Sequence, residues 1–185
     1  MVPPASPQDK DVDRARETLF RQVFDEHAAY VHASLGRLGI RDADRDDLSS
    51  EVFVRVHREL DRYDRDRPLR PWLFAFAARV ASDHRRLARH RREVLEEPTD
   101  AASDAPTPDR EIESIEARRM VERALEELDL EKRAVFVLHD LDETPVPEIA
   151  RVLEIPEGTA YSRLRAARAE FTAAVRRAQL SARKS

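Results

Sequence analysis

The sequence predicts an all-α protein of two small helical domains joined by an acidic linker, and three observations carry that prediction. Glycine occurs three times in 185 residues and aromatics make up 6%, whereas sheets and their tight turns consume glycine, β-branched and aromatic residues. Apolar side chains recur three and four positions apart, the period of an amphipathic helix. Between the two runs that show this period lies EEPTDAASDAPTPD, three prolines among small residues and acids, with nothing to bury. These divisions give an unstructured start over 1–15, a first domain over 16–94, a linker over 95–111, a second domain over 112–180 and a tail over 181–185.

From Leu19, the residues Phe20, Val23, Phe24, Val31, Leu35 and Leu38 lie on one helical face, which Gly36 and Gly39 bring to an end. A second helix is expected from Arg45 to Leu60, with Leu48, Val52, Phe53, Val56 and Leu60 inward. A polar loop, DRYDRDRPLRP, leads into a third helix starting near Leu69 or Pro71, where a proline's missing N–H costs nothing. Its expected inner stripe is Leu69, Leu73, Phe76, Val80 and Leu87. Beyond the linker, helices are expected over 112–128, 131–140, 147–153 and 157–177. The linker could reach about 60 Å when stretched and about 24 Å as a flexible coil. That range includes one turn of duplex DNA, about 34 Å.

Hydrophobic residues, 41% of the chain, suffice for a core, while 38% are charged. The net charge of −4 would by itself argue against nucleic-acid binding, but the charge is segregated. Residues 65–92 are strongly basic and 161–184 moderately so; between them, 93–116 carries nine acids against one arginine. The absence of cysteine excludes disulfides, thiolate metal sites and a cysteine nucleophile. The six histidines form no HExxH pattern, and neither a glycine-rich phosphate loop nor a nucleophile elbow occurs. No catalytic residue, metal or cofactor is therefore expected. With no apolar leader and no long apolar run, the chain is expected in the cytoplasm, without membrane insertion.

The most informative stretch is TPVPEIARVLEIPEGTAYSRLRAARAEF, residues 144–171. Thr144 is placed to cap a helix opened by prolines. Ile149, Ala150, Leu153 and Ile155 form a small apolar interior, to which Ala160 and Leu164 of the next helix return. The other side of that helix offers Thr159, Tyr161, Ser162, Arg163, Arg165 and Arg168. Hydroxyls and guanidiniums at a helix N-terminus are the groups that reach phosphates and base edges in a major groove. The pattern is that of a DNA-reading helix-turn-helix. Glu154 stands at the turn position that often takes glycine, where a left-handed backbone would cost about 1–2 kcal/mol.

EIARVLEIPEGTAYSRLRAARAEF resembles region 4.2 of bacterial sigma factors, and ALEELDLEKRAVFVLHDLDE resembles region 4.1. DADRDDLSSEVFVRVHREL is similar to region 2.2, and RPWLFAFAARVASDHRRLARHRR to regions 2.3 and 2.4. The blocks stand in the family's order across residues 18–177, and the chain is identified as a member of the extracytoplasmic-function (ECF) group of the sigma-70 family.

This resemblance implies the partners and the site residues. Core RNA polymerase would be contacted at its clamp coiled coil and flap, the clamp through Asp46, Asp47, Ser50, Glu51, Arg55 and Arg58. The melted strand of the −10 element would meet Arg65, Arg67, Arg70, Trp72, Arg79, Asp83, Arg85, Arg86 and Arg89. The −35 duplex would meet Thr159, Tyr161, Ser162, Arg163, Arg165 and Arg168. The resemblance also implies promoter DNA as ligand, assistance with promoter melting and control by an anti-sigma factor. Many relatives have asparagine at the position of Arg79, a basic residue at Tyr161 and arginine at Ala166, so a different base preference is expected here. Three other classes stand beside this reading: a helix-turn-helix regulator with a helical sensor domain, an enzyme, and a structural adaptor. None accounts for DDLSSEVF and RPWLFAF together with the C-terminal motif.

Overall fold

The computed structural model describes residues 7–95 and 112–182. Among the described residues seven α-helices follow one another: α1 (Pro7–Arg37), α2 (Asp42–Glu59), α3 (Leu69–Leu95), α4 (Ile112–Glu126), α5 (Leu130–Phe136), α6 (Val146–Val152) and α7 (Glu157–Ala182). A single 3-10 turn, Leu60–Arg62, closes α2, and a π-helical turn, Val137–Leu141, prolongs α5. No strand occurs among the described residues, so the all-α expectation holds.

Helices α1, α2 and α3 pack mutually as a three-helix bundle around Val31, Leu35, Val52, Val56, Leu73, Phe74 and Val80, all essentially solvent-free. In the second half, α7 packs on α4, α5 and α6 around Leu125, Val135, Leu138, Ile149, Ala160 and Leu164. The two halves also touch, since α3 meets α5 and α6, and one apolar cluster runs through both.

The end of α1 shows why Gly39 is needed. Its N–H donates to the Gly36 carbonyl at 2.8 Å and that of Ile40 to the Leu35 carbonyl at 3.0 Å, with Gly39 at φ 84°. This is a Schellman ending, whose left-handed residue is cheapest as glycine. The same motif ends α6. Glu154 N–H donates to the Arg151 carbonyl at 3.3 Å and Ile155 N–H to the Ala150 carbonyl at 3.0 Å, and Glu154 takes φ 56°. The backbone at Glu154 is thus left-handed despite the missing glycine, and the helix-turn-helix forms with that turn and not with a differently shaped one.

Several expectations are corrected. Residues 7–15, expected to be unstructured, belong to α1, because helix-compatible residues run on from Leu19 without a breaker; of the expected tail 181–185, residues 181–182 belong to α7, while 183–185, like residues 1–6, lie outside the described residues. The linker core, 96–111, lies outside them too, although residue 95 still belongs to α3. Leu87 is 52% exposed instead of inward, because α3 extends past the end of the bundle. Thr144 does not cap α6: Pro145 holds the cap position without a side-chain bond, and Thr144 is buried with its N–H on the Leu138 carbonyl at 2.8 Å. The expected helix over 131–140 is α at first and π at its end.

Candidate nucleic-acid interface

The second domain carries its candidate face on the first turns of α7. Ala160, Leu164 and Ala167 are buried against α6 and α5, which leaves Tyr161 (56% exposed), Ser162 and Arg165 facing outward. With Arg168 they line an open groove of about 590 Å³, together with His139, Val146, Gly158 and Leu164. Thr159 is half-buried at the start of the helix, and its carbonyl accepts from the Ser162 hydroxyl at 2.9 Å. Arg163 turns toward α5 and pairs with Glu131. Arg168 is held from outside the motif: its Nε donates to Asp140 at 2.9 Å, and its Nη2 meets Asp140 and the Nδ1 of His139. The Arg168 hydrogen bond is the main reason that the Asp140 carboxyl lies below its ordinary range.

His139 and Asp140 project from the π turn, a feature common at functional sites. The sequence reading missed both, because a π turn has no periodic signature.

In the first domain the nine candidate strand-binding residues divide among different faces. Trp72, Arg79, Asp83 and Arg86 follow the spacing of one stripe along α3, with Phe76 between them. Trp72 is half-buried, its ring 5.0 Å from Tyr63 and 4.8 Å from Phe76. Arg79 lies over the Phe76 ring at 5.2 Å. Trp72, Phe76 and Arg79 line an open cavity of about 530 Å³ with Arg55, Arg58, Glu59, Arg62 and Glu154. Four guanidiniums beside a half-buried indole suit a nucleotide, which needs stacking surface and phosphate neutralisation together.

Arg65 and Arg67 are exposed on the loop before α3, where the Tyr63 hydroxyl donates to the Arg67 carbonyl at 2.6 Å. Arg70 sits 5.3 Å over the Tyr30 ring. Asp83 accepts from Arg55 at 3.0 Å and from Arg86 at 3.2 Å. Arg89 is exposed, away from that stripe. Arg85 points inward: it donates to the Leu38 carbonyl at 2.7 Å, and burial lowers its pKa. That geometry serves packing at the end of α1 instead of an open contact. Arg62 and Tyr63 lie in the loop of residues 61–69, which the family resemblance implies as the pocket region, although neither was singled out among the candidate residues.

On α2, Asp46, Asp47, Ser50, Glu51 and Arg58 are exposed. Arg55 is tied to Glu51 at 2.5 Å and, across to α3, to Asp83. Val54, in the same stretch of α2, is half exposed. An apolar side chain among charges fits a protein-binding surface.

Among the described residues there is no cluster of ligands able to hold a metal ion. None of their helices is long and apolar enough to cross a membrane.

Comparison with known proteins matches residues 23–92 to the family profile Sigma-70 region 2, and residues 118–171 to Sigma-70, region 4. ECF RNA polymerase sigma factor SigL of Mycobacterium tuberculosis is 35% identical over 152 residues, covering 81% of this chain and 85% of that protein. The solved structure of CnrH in complex with the cytosolic domain of CnrY is similar at 27% identity, covering 85% of this chain and 87% of that one, with a TM-score of 0.57. The sigma factor RpoE of Bartonella quintana, solved with the anti-sigma factor NepR, shares the fold with a TM-score of 0.67 at 17% identity, over 85% of this chain and 96% of that one.

Proposed function

Because this chain belongs to the ECF group of the sigma-70 family, we propose that it binds core RNA polymerase, directs it to promoters and assists in opening them. The observation that carries this reading is the presence of both family regions, in order, on two helical domains. It is an initiation factor and not an enzyme; the chemistry belongs to the polymerase. We assign the clamp contact to the exposed face of α2, around Asp46, Asp47, Ser50, Glu51 and Arg58, with Arg55 bracing it against α3.

Promoter opening requires a base to leave the stack, at a cost of a few kcal/mol. The cavity around Trp72, Phe76 and Arg79 and the loop arginines Arg65 and Arg67 could offset that cost by stacking and phosphate contact. The groove at Tyr161, Ser162, Arg165 and Arg168 would take the upstream duplex. The acidic linker, residues 95–111, would join the two domains while they occupy separate elements. Control by an anti-sigma factor and a cytoplasmic location complete the proposal, in line with the similar CnrH held by the cytosolic domain of CnrY.

The test is in vitro transcription with bacterial core polymerase on a fragmented genomic library. New discrete transcripts that depend on the protein are expected. No transcripts, together with no core binding in a pull-down, would leave a plain DNA-binding regulator as the better reading.

A further inference from the structure

One side of the groove beside Tyr161, Ser162 and Arg165 comes from outside the helix-turn-helix. It is His139, presented by the π turn that prolongs α5. Its Nδ1 lies 2.9 Å from the Asp140 carboxylate and 3.1 Å from Nη2 of Arg168. Its Nε2 has no hydrogen-bond partner among the described residues. The charged groups facing the ring are Asp140 of its own turn and Arg168 of α7, both in contact, with Arg165 of α7 along the groove. From α6 the groove is lined by the apolar Val146.

These neighbours settle where a neutral ring keeps its proton. Arg168 directs Nε and Nη2 to Asp140, so it has its acceptor without the ring. That bond holds the Asp140 carboxyl below its ordinary range, and the ionised carboxylate calls for a donor on Nδ1. A neutral His139 therefore carries its hydrogen on Nδ1 and offers the groove a lone pair at Nε2, which repels a phosphate oxygen. Once protonated, the ring keeps Nδ1–H on Asp140 and offers Nε2–H, a charged donor suited to phosphate. Histidine is the side-chain type whose charge change ordinarily falls between about pH 5 and 8.

We infer that His139 is a proton-dependent phosphate contact for the upstream duplex, with Asp140 and Arg168 as the residues that position its ring. It rests on the reading of that groove as the duplex site. Binding takes up one proton at Nε2. The complex holds this proton more tightly than the free chain, so affinity rises as pH falls through the imidazole range. Asp140 and Arg168 keep their charges throughout, because their mutual bond favours both ionised forms. In this cluster the ring alone changes state.

Phosphate contacts are independent of base sequence, so a short mixed-sequence duplex serves as probe, its anisotropy read with the full-length chain. Wild type should bind about fivefold more tightly at about pH 6 than at about pH 8, the effect of one partly exposed charge contact. His139→Gln should lose that gain, and His139→Arg, charged at both values, should bind tightly at both. Asp140→Asn, whatever it does to overall affinity, should shrink the gain, because the imidazolium loses its carboxylate. A purely structural histidine would leave the salt dependence alone. A phosphate contact makes the slope of log affinity against log salt steeper by about 0.9 in wild type than in His139→Gln at about pH 6, with the two slopes equal at about pH 8.

Equal pH profiles, or equal slopes at the lower pH, in wild type and His139→Gln would overturn the proposal. Arg165→Ala separates that failure from a failure of the duplex assignment. If it weakens binding while His139→Gln behaves as wild type, the groove stands and the role of His139 falls. If neither change affects binding, both fall together.

Discussion

Tyr30 of the first domain donates its hydroxyl to Asp142 of the second at 2.6 Å, joining residues 112 positions apart. Burial, and then the bond to Asp142, hold the Tyr30 pKa above its ordinary value, so the phenol stays a donor across the usable pH range. Arg37 takes the other carboxylate oxygen at 3.0 Å. Three groups thus fix where the second domain meets α1.

Tyr30→Phe is expected to destabilise the folded chain by about 1.5 kcal/mol, the low end for a hydrogen bond to a charged group, since Arg37 still serves Asp142. Urea unfolding measures it. Adding Asp142→Asn should cost less than the sum of the two single changes, because both remove one interaction.

Glu154→Gly should raise thermal stability. Glycine takes the left-handed backbone without the cost of about 1–2 kcal/mol that a side chain carries. The lost pair with Arg79 is largely exposed and is worth at most about 1 kcal/mol. A net gain between about 0 and 2 kcal/mol is the expected result by calorimetry.

Arg165→Ala should weaken upstream duplex recognition by about 1–3 kcal/mol if the guanidinium reaches a base edge, and leave core polymerase binding unchanged. Glu51→Arg should do the reverse. Footprinting and polymerase pull-down on both variants give the comparison. Loss of core binding in Arg165→Ala would contradict the division of labour.

Stability should fall on acidification. Asp140 and Glu148 are held below their ordinary range, by hydrogen bonds from Arg168 and from Arg151 respectively before any other cause. A depressed carboxylate binds fewer protons folded than unfolded. Its contribution is therefore complete above the unfolded value, about 4, and is lost as pH falls through the lower folded value. Melting temperatures should drop from about pH 5 downward as these carboxylates take up protons. Glu148→Gln should flatten that drop, and an unchanged slope would remove Glu148 from the account.

Much of the fold was legible because it is local. The three-four spacing of Val52, Phe53 and Val56, or of Ala160 and Leu164, carries a helix and its buried face together, and those residues are buried. The apolar interior of residues 144–171 likewise carried the helix-turn-helix. Legibility failed where local pattern was cut by tertiary circumstance. Leu87 continues an apolar stripe but stands where α3 outruns its bundle. Arg85 looks like its basic neighbours but finds the Leu38 carbonyl. The π turn that presents His139 and Asp140 to Arg168 has no repeat to read.

By itself the sequence determined an all-α chain, its two family regions and the chemical character of each face, because periodicity and residue type are properties of neighbours along the chain. Only the tertiary structure decided which charged groups are open and which are paired. Arg67 meets Glu148 across 81 positions and Arg79 meets Glu154 across 75. Such pairs depend on how two separately formed bundles come to rest on each other, through a shared apolar cluster and a Tyr30–Asp142 bond that no local spacing encodes.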